Sequence, residues 1–375
     1  MTKKITRFLA DRQPQTPCLV VDLNVVRQAY RKLSRAMPEA VIYYAVKANP
    51  AQEILALLAS LGSSFDCASL NEIHQVLAAG GIAERISFGN TIKRRSDIVA
   101  AHALGVGLFA FDSREELEKI AAAAPGARVF CRILTSGAGA EWPLSRKFGC
   151  EPEMAEELLL AARDLGVVPC GISFHVGSQQ RDPRQWEEAV SAAAKLFRSL
   201  ADAGVELDLL NIGGGFPARY RRKLPVLCAY GAAIRRAIHT YFGNRLPNVI
   251  VEPGRQMVGE AGIIQTEVLL ISRKARGDDR RWVYLDIGKF GGLAETEGEA
   301  IQYPVKSRRQ GRGERVILAG PTCDSADVLY ERSDYRLPAD LSIGDKIEIR
   351  ATGAYTSTYA SVGFNGFEPL RCYCI

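Results

Sequence analysis

Eight short apolar runs separated by segments of helical period lie between residues 41 and 252, and this alternation constrains the fold more than any single motif. The runs at 41–46, 64–67, 85–88, 107–111, 128–133, 168–174, 207–212 and 248–252 have the apolar, β-compatible character of buried parallel strands. The intervening stretches 52–60, 70–79, 93–103, 114–123, 153–165, 185–201 and 226–241 place apolar residues at helical spacing. A strand and then a helix, repeated around a circle, is the pattern of a (β/α)8 TIM-like barrel. Beyond Gly259 the rhythm gives way to strand-like stretches at 263–271, 281–285, 316–319 and 346–350 with turn residues between them, which predicts a C-terminal all-β domain. The expected division is therefore 1–36, a strand (18–22) and helix (23–36) ahead of the barrel; 37–258, the barrel; and 259–375, the β-domain. The leading strand is a candidate to pair with that last domain.

Composition excludes several classes of function. A 375-residue chain with 47% hydrophobic and 24% charged residues is an ordinary globular protein. Its formal charge of +6 is not gathered into a basic stripe, and Ser307-Arg-Arg-Gln-Gly-Arg-Gly-Glu-Arg315 reads as a solvated loop, so no nucleic-acid partner is expected. No apolar run is long enough for a signal peptide or a membrane span, so no membrane partner and a cytoplasmic location are expected. Nine cysteines, an odd number at irregular spacing, suit a reducing compartment rather than a disulfide framework. Cys372 and Cys374 form the only close pair, and with no second pair or nearby histidine they predict no metal site.

Parallel barrel strands share one carboxyl rim, and catalytic side chains collect there. Lys47 follows the first strand in Val41-Ile-Tyr-Tyr-Ala-Val-Lys47, and Asp66 lies at the end of the second. Arg132 ends the fifth, His175 the sixth, Gly213-Gly-Gly215 follows the seventh, and Glu252-Pro-Gly-Arg255 closes the eighth. A strand-end lysine more often simply points into water. Set against an apolar wall, however, it loses hydration, and its neutral, nucleophilic form becomes available for a Schiff base. The glycine triplet lets backbone N–H groups approach an anion, Arg255 adds a forked cationic donor, and the loops after strands seven and eight are the usual phosphate site of a barrel. Phosphate beside a Schiff-base lysine suggests pyridoxal 5′-phosphate, whose ring nitrogen needs an acidic partner. Glu252 is the candidate for that partner, and His175 for a residue stacked on the ring. From the β-domain, Gly320-Pro-Thr-Cys-Asp-Ser-Ala-Asp327 holds a cysteine in a turn-rich stretch. Gly353-Ala-Tyr-Thr356 and Phe364-Asn-Gly-Phe367 supply a phenol and aromatic surface that could cover a ligand.

Ala45-Val-Lys-Ala-Asn-Pro50, Phe65-Asp-Cys-Ala-Ser69, Phe174-His-Val-Gly-Ser178, Gly213-Gly-Gly215, Val251-Glu-Pro-Gly-Arg255, Gly320-Pro-Thr-Cys-Asp324 and Gly353-Ala-Tyr-Thr356 occur in one order along the chain. Together they resemble the group IV, alanine-racemase-fold pyridoxal-phosphate decarboxylases, and within that family the ornithine type. Cys323 is followed by Asp324 where diaminopimelate-type members usually carry glutamate.

The resemblance implies roles. Lys47 carries the Schiff base, Glu252 meets the ring nitrogen, His175 stacks on the ring, and Asp66 and Arg132 contact or orient the cofactor. Ser178, the glycines Gly213, Gly214 and Gly215, Gly254, Arg255 and Tyr355 belong to the cofactor cradle, Tyr355 also bordering the substrate. Family members are head-to-tail homodimers, so Cys323 and Asp324 are expected to enter the partner's barrel, Cys323 as proton donor to the α-carbon and Asp324 as partner of a distal ammonium. Lys147 is expected to pair with Asp327 across that interface. Glu295 is the first candidate for a second acidic contact to the distal amine, with Glu297 and Glu299 as alternatives. The implied activity is decarboxylation of L-ornithine to putrescine. The alternatives are a dual enzyme that also takes L-lysine, a diaminopimelate or carboxynorspermidine decarboxylase, and an inactive, regulatory relative. An alanine racemase would place a basic residue at the ring nitrogen, where Glu252 stands here.

Overall fold

The computed structural model describes residues 1–142 and 147–375. Its strands, in chain order, are β1 (Cys18–Val21), β2 (Ala40–Ala45), β3 (Ser64–Cys67), β4 (Ile86–Phe88), β5 (Leu108–Phe111), β6 (Arg128–Arg132), β7 (Ala140–Trp142), β8 (Val168–Ser173) and β9 (Ser178–Gln180). They continue with β10 (Leu209–Asn211), β11 (Asn248–Val251), β12 (Gly262–Ser272), β13 (Arg281–Leu285), β14 (Val305–Ser307), β15 (Gly313–Ala319), β16 (Val328–Pro338), β17 (Lys346–Arg350) and β18 (Arg371–Cys374). Two compact units form: Arg27–Pro217 with Leu224–Met257, and Met1–Val26 with Ala218–Lys223 and Val258–Ile375.

The first unit is the barrel. Strands β2, β3, β4, β5, β6, β8, β10 and β11 pair in parallel and close into a ring. A layer of its interior is filled by Ala110, Phe130, Cys170, Leu209 and Ile250, with Tyr43 and Leu108 packed against them. Such strands are buried on both faces, which is why they read as unbroken apolar runs in the sequence. Two of the helices start at serine caps beside the carboxyl rim: Ser69 accepts the Glu72 N–H and Ser113 the Glu116 N–H. Glu72 reaches back to the Ala68 N–H at 2.7 Å, so the turn after β3 is fixed from both directions. Outside the ring, β7 and β9 pair as a short antiparallel ribbon, Ala140 opposite Gln180 and Trp142 opposite Ser178.

The second unit is an eight-stranded sheet in which β14, β17, β12, β13, β15 and β16 follow one another, β1 pairs with β12, and β18 pairs with β1. The leading strand therefore belongs to the β-sheet unit, while the helix Leu23–Ala36 is divided between the two units at Val26. The opening stretch, which reads as a polar start, is a helix, Lys3–Arg12, whose Ile5 and Leu9 pack on Cys18, Val20 and Ile263. Among the described residues no helix is long and apolar enough to cross a membrane.

Candidate active site

Lys47 sits in a 3-10 turn, Val46–Ala48, immediately past β2. The turn is pinned by the Tyr44 hydroxyl, which donates to the Asn49 carbonyl at 2.9 Å. Here the structure corrects the apolar-wall expectation: Nζ lies 3.1 Å from Asp66 Oδ2, and the side chain is 49% exposed. The end of a strand carries its side chain out of the wall and over the rim, where the carboxylate on the adjacent β3 receives it. Asp66 itself is buried, and its Oδ1 has no hydrogen-bond partner among the described residues.

Three further groups converge on this pair. Glu252 follows β11, with its N–H bonded to the Gly213 carbonyl at 2.8 Å and its Oε1 accepting from Asn211 Nδ2. Burial first, and then the charge of Asp66, raise its carboxyl to about 7, against the opposing pull of Lys47, Asn211 and Arg132. Arg132 ends β6. Burial draws its guanidinium below the ordinary value, and Glu252, Asp112 and Asp66 work against that. His175 follows β8 and is lowered to about 3, chiefly by burial and then by Arg132 and Lys47. Its Nδ1 accepts the Gly177 N–H at 3.0 Å, so the neutral ring carries its proton on Nε2. A neutral imidazole can lie against an aromatic ligand without adding positive charge.

A few residues away the anion end takes shape. Arg255 Nη2 donates to Ser178 Oγ at 3.1 Å. Gly213 adopts φ 67°, and a Cβ there would stand 2.3 Å from the Phe174 carbonyl oxygen. One at Gly214 would stand 2.5 Å from the Glu252 carbonyl oxygen. The triplet is thus glycine first because three loops press together there. Its amides are not all available, since the Gly213 N–H is bonded to Asn211 Oδ1 at 2.9 Å. Among the described residues the Gly214 and Gly215 N–H groups meet no backbone acceptor, which leaves them for an anion, and Gly254 turns the chain into the short helix Arg255–Val258.

Several neighbours were not singled out from the sequence. Asn211 is one, although its place directly before Ile212-Gly213 at a strand end was a signal. Gln180 is another: buried, it donates through Nε2 to the carbonyls of Ala138 and Val176 at 2.8 and 3.0 Å and accepts the Asp182 N–H. The Phe148 ring lies 5.2 Å from the Arg132 guanidinium and 5.0 Å from Lys147 Nζ. Lys147 itself is exposed.

In the sheet unit, Cys323 is exposed, and its N–H and Sγ both meet Asn365 Oδ1, at 3.0 and 3.4 Å. One amide thereby joins the Gly320–Asp327 stretch to the Phe364–Phe367 stretch, while Phe364 packs on Phe290 with ring centroids 4.5 Å apart. Asp324 is exposed and accepts the Ala326 N–H at 2.8 Å. Tyr355 is partly buried in a left-handed conformation, φ 56°. Asp327 is turned inward. It is 2% exposed, and its carboxylate accepts from the Lys289 N–H and from both the N–H and hydroxyl of Thr322. The carboxylate expected to pair with Lys147 across an interface thus already has donors within its own unit. The three glutamates of the 294–299 turn also separate. Glu299 accepts the N–H groups of Glu331, Arg332 and Ser333 and the Ser333 hydroxyl. Glu297 is exposed and paired with Lys289, and Glu295 is buried.

The barrel rim fits pyridoxal 5′-phosphate on its own terms. An amine, a carboxylate able to hold a proton near neutrality, a neutral imidazole and an arginine–serine pair beside two glycine amides are the donor set that a pyridine aldehyde with a phosphate requires.

Comparison with known proteins gives the same direction. Residues 23–259 match the family model for pyridoxal-dependent decarboxylases, pyridoxal binding domain. The chain is 39% identical over 368 residues to the lysine/ornithine decarboxylase of Selenomonas ruminantium, covering 98% of this chain and 91% of that protein. A crystal structure of SrLDC in complex with PLP and cadaverine superposes with TM-score 0.89 at 37% identity, covering 100% of this chain and 94% of that one. The lysine/ornithine decarboxylase of Vibrio vulnificus complexed with cadaverine superposes with TM-score 0.89 at 31% identity, over 100% of this chain and 99% of that one.

Proposed function

From the premise that this chain belongs to the pyridoxal-dependent decarboxylases, we propose that it converts L-ornithine to putrescine and carbon dioxide, and that L-lysine is its second substrate. The enzyme is a pyridoxal 5′-phosphate decarboxylase acting on basic amino acids of this class. The observation that carries the reading is the convergence of Lys47, Asp66, Glu252, Arg132 and His175 on one rim.

When bound, the cofactor supplies an electron sink for the pair left behind as carbon dioxide departs. The protein's own residues do the rest. Lys47 would hold the cofactor through its amine, at the position that the substrate's α-amine must also reach. Glu252 keeps a proton at the ring nitrogen, which makes the sink effective. His175, neutral, supports the ring face. Arg255, Ser178 and the Gly214 and Gly215 amides hold the phosphate, with Tyr355 as a further contributor. Cys323 of a second subunit returns a proton to the α-carbon, and its neighbour Asp324 receives the distal ammonium. A carboxylate is the natural partner for that charge in a partly dry pocket. This assigns the working form to a homodimer with shared sites.

Lysine enters as second substrate because the relatives from Selenomonas ruminantium and Vibrio vulnificus are lysine/ornithine decarboxylases; Glu299 is engaged by the donors of 331–333, and buried Glu295 is the candidate acidic contact to the distal amine. The test is carbon dioxide release from cofactor-loaded protein with L-ornithine, L-lysine, L-arginine and meso-diaminopimelate, compared as kcat/KM. Ornithine first and lysine within about a hundredfold is the expected order. Turnover of none of the four would sink the reading.

A further inference from the structure

Asn211, the last residue of β10, is 1% exposed, and its side chain bridges two parts of the site. Oδ1 accepts the Gly213 N–H at 2.9 Å, and Nδ2 donates to Glu252 Oε1. Chemistry fixes this orientation. A peptide N–H can only donate, so it must face the amide oxygen, and the NH2 is left to face the carboxylate. Any proton on Glu252 is then confined to Oε2, because Oε1 is already accepting. The charged groups facing Glu252 are Asp66, Lys47 and Arg132, and Asn211 is the neutral donor among its neighbours. A carboxylate that accepts such a bond is a weaker base than one that does not.

We propose that Asn211 is a positioning residue that does two things at once: it fixes the glycine loop through Gly213, and it weakens Glu252 as a base so that the proton shared with the cofactor stays on the ring nitrogen. The first task shapes the anion cradle, and the second tunes the electron sink, through one side chain that touches neither phosphate nor substrate. The inference rests on the reading of Glu252 as the ring-nitrogen partner.

The test uses full-length protein reconstituted with pyridoxal 5′-phosphate carrying 15N in the ring. The nitrogen chemical shift followed against pH reports ring protonation, and a separate titration of cofactor into stripped protein gives its dissociation constant. In Asn211→Leu, which removes both bonds at similar volume, the ring nitrogen is expected to lose its proton about one pH unit lower, a tenfold change in that equilibrium. Cofactor affinity in the same variant should fall roughly tenfold. Asn211→Asp keeps an acceptor for the Gly213 N–H, so its affinity should return to within about threefold of the parent. If Asn211→Leu does not fold, as judged by circular dichroism, Asn211→Ala carries the same two measurements. A parental ring-nitrogen titration in the Leu or Ala variant, or an Asp variant that binds cofactor as weakly as they do, overturns the proposal. Glu252→Gln separates this from the underlying reading: if that variant keeps the parental ring titration, the placement of Glu252 fails, whatever Asn211 does.

Discussion

Folding of the cofactor-free protein transfers a proton from one residue of the barrel mouth to another. The Glu252 carboxyl rises from 4.5 to about 7, through burial and then Asp66. His175 falls from 6.5 to about 3, through burial and then Arg132 and Lys47. Between these ordinary values the unfolded chain has His175 charged and Glu252 ionised, and the folded chain has the reverse. A raised carboxyl makes stability fall by about 1.4 kcal/mol per unit as pH rises through the window, because the folded state holds the extra proton. A depressed histidine makes stability rise by about the same amount, because there the unfolded state holds it. The two slopes cancel, so this pair leaves the wild-type profile flat. Single substitutions uncover each half. Glu252→Gln should leave stability falling on acidification by about 1.4 kcal/mol per pH unit relative to the parent, and His175→Phe should leave it rising by about as much. Both side chains retain some water contact, which narrows the window without changing the slopes, so the comparison belongs at its centre, about pH 5 to 6. Urea unfolding of stripped protein at one fixed concentration, each variant referred to the parent at the same pH, removes the titrations common to all. Variant profiles that run parallel to the parent's would refute the reasoning.

The inward-turned Asp327 predicts that Asp327→Ala costs about 3 kcal/mol in unfolding measurements at any protein concentration, since the Lys289 and Thr322 donors lose their acceptor. A loss that appears only where subunits associate would instead place the contribution of Asp327 in a pairing with Lys147 across the interface. Glu299→Gln should lower stability by about 1–2 kcal/mol through its contacts to 331–333 while leaving the ornithine-to-lysine ratio of kcat/KM unchanged. Glu295→Gln, in contrast, should change that ratio by about tenfold or more, a shift read from the same substrate panel. Cys323→Ala should bind cofactor normally and misplace the proton after carbon dioxide leaves, which product analysis in deuterated water will show; clean putrescine at the parental rate would exclude Cys323 as donor.

The barrel was legible because parallel strands buried on both faces must be apolar throughout, and the predicted runs lie within two residues of the observed strands. The sheet unit was less so. β16, Val328–Pro338, escaped notice because Glu331, Arg332, Ser333 and Asp334 interrupt its apolar residues; it pairs with β15, and Glu299, distant in sequence, accepts the N–H groups of 331–333. The β7–β9 ribbon is three residues on each side, too short for any period to register. The opening helix hides because only Ile5 and Leu9 are buried, a single apolar stripe on an otherwise polar segment.

At the rim, residue type and position located the right groups, but lone pairs and N–H groups decide what each can do. Lys47 is where the strand pattern puts it, and its ammonium meets Asp66 instead of an apolar wall. Gly213 belongs to the glycine loop, yet its amide is spent on Asn211, so the anion must rely on the two glycines that follow. Asp327 and Glu299 carry the charge expected near a diamine or an interface, and both are consumed by backbone donors of their own unit. Such occupancy is set by residues far apart in sequence, which is why no local motif reveals it. It also gives those two residues one consequence: removing a carboxylate whose oxygens are filled by backbone donors loosens a turn rather than emptying a site.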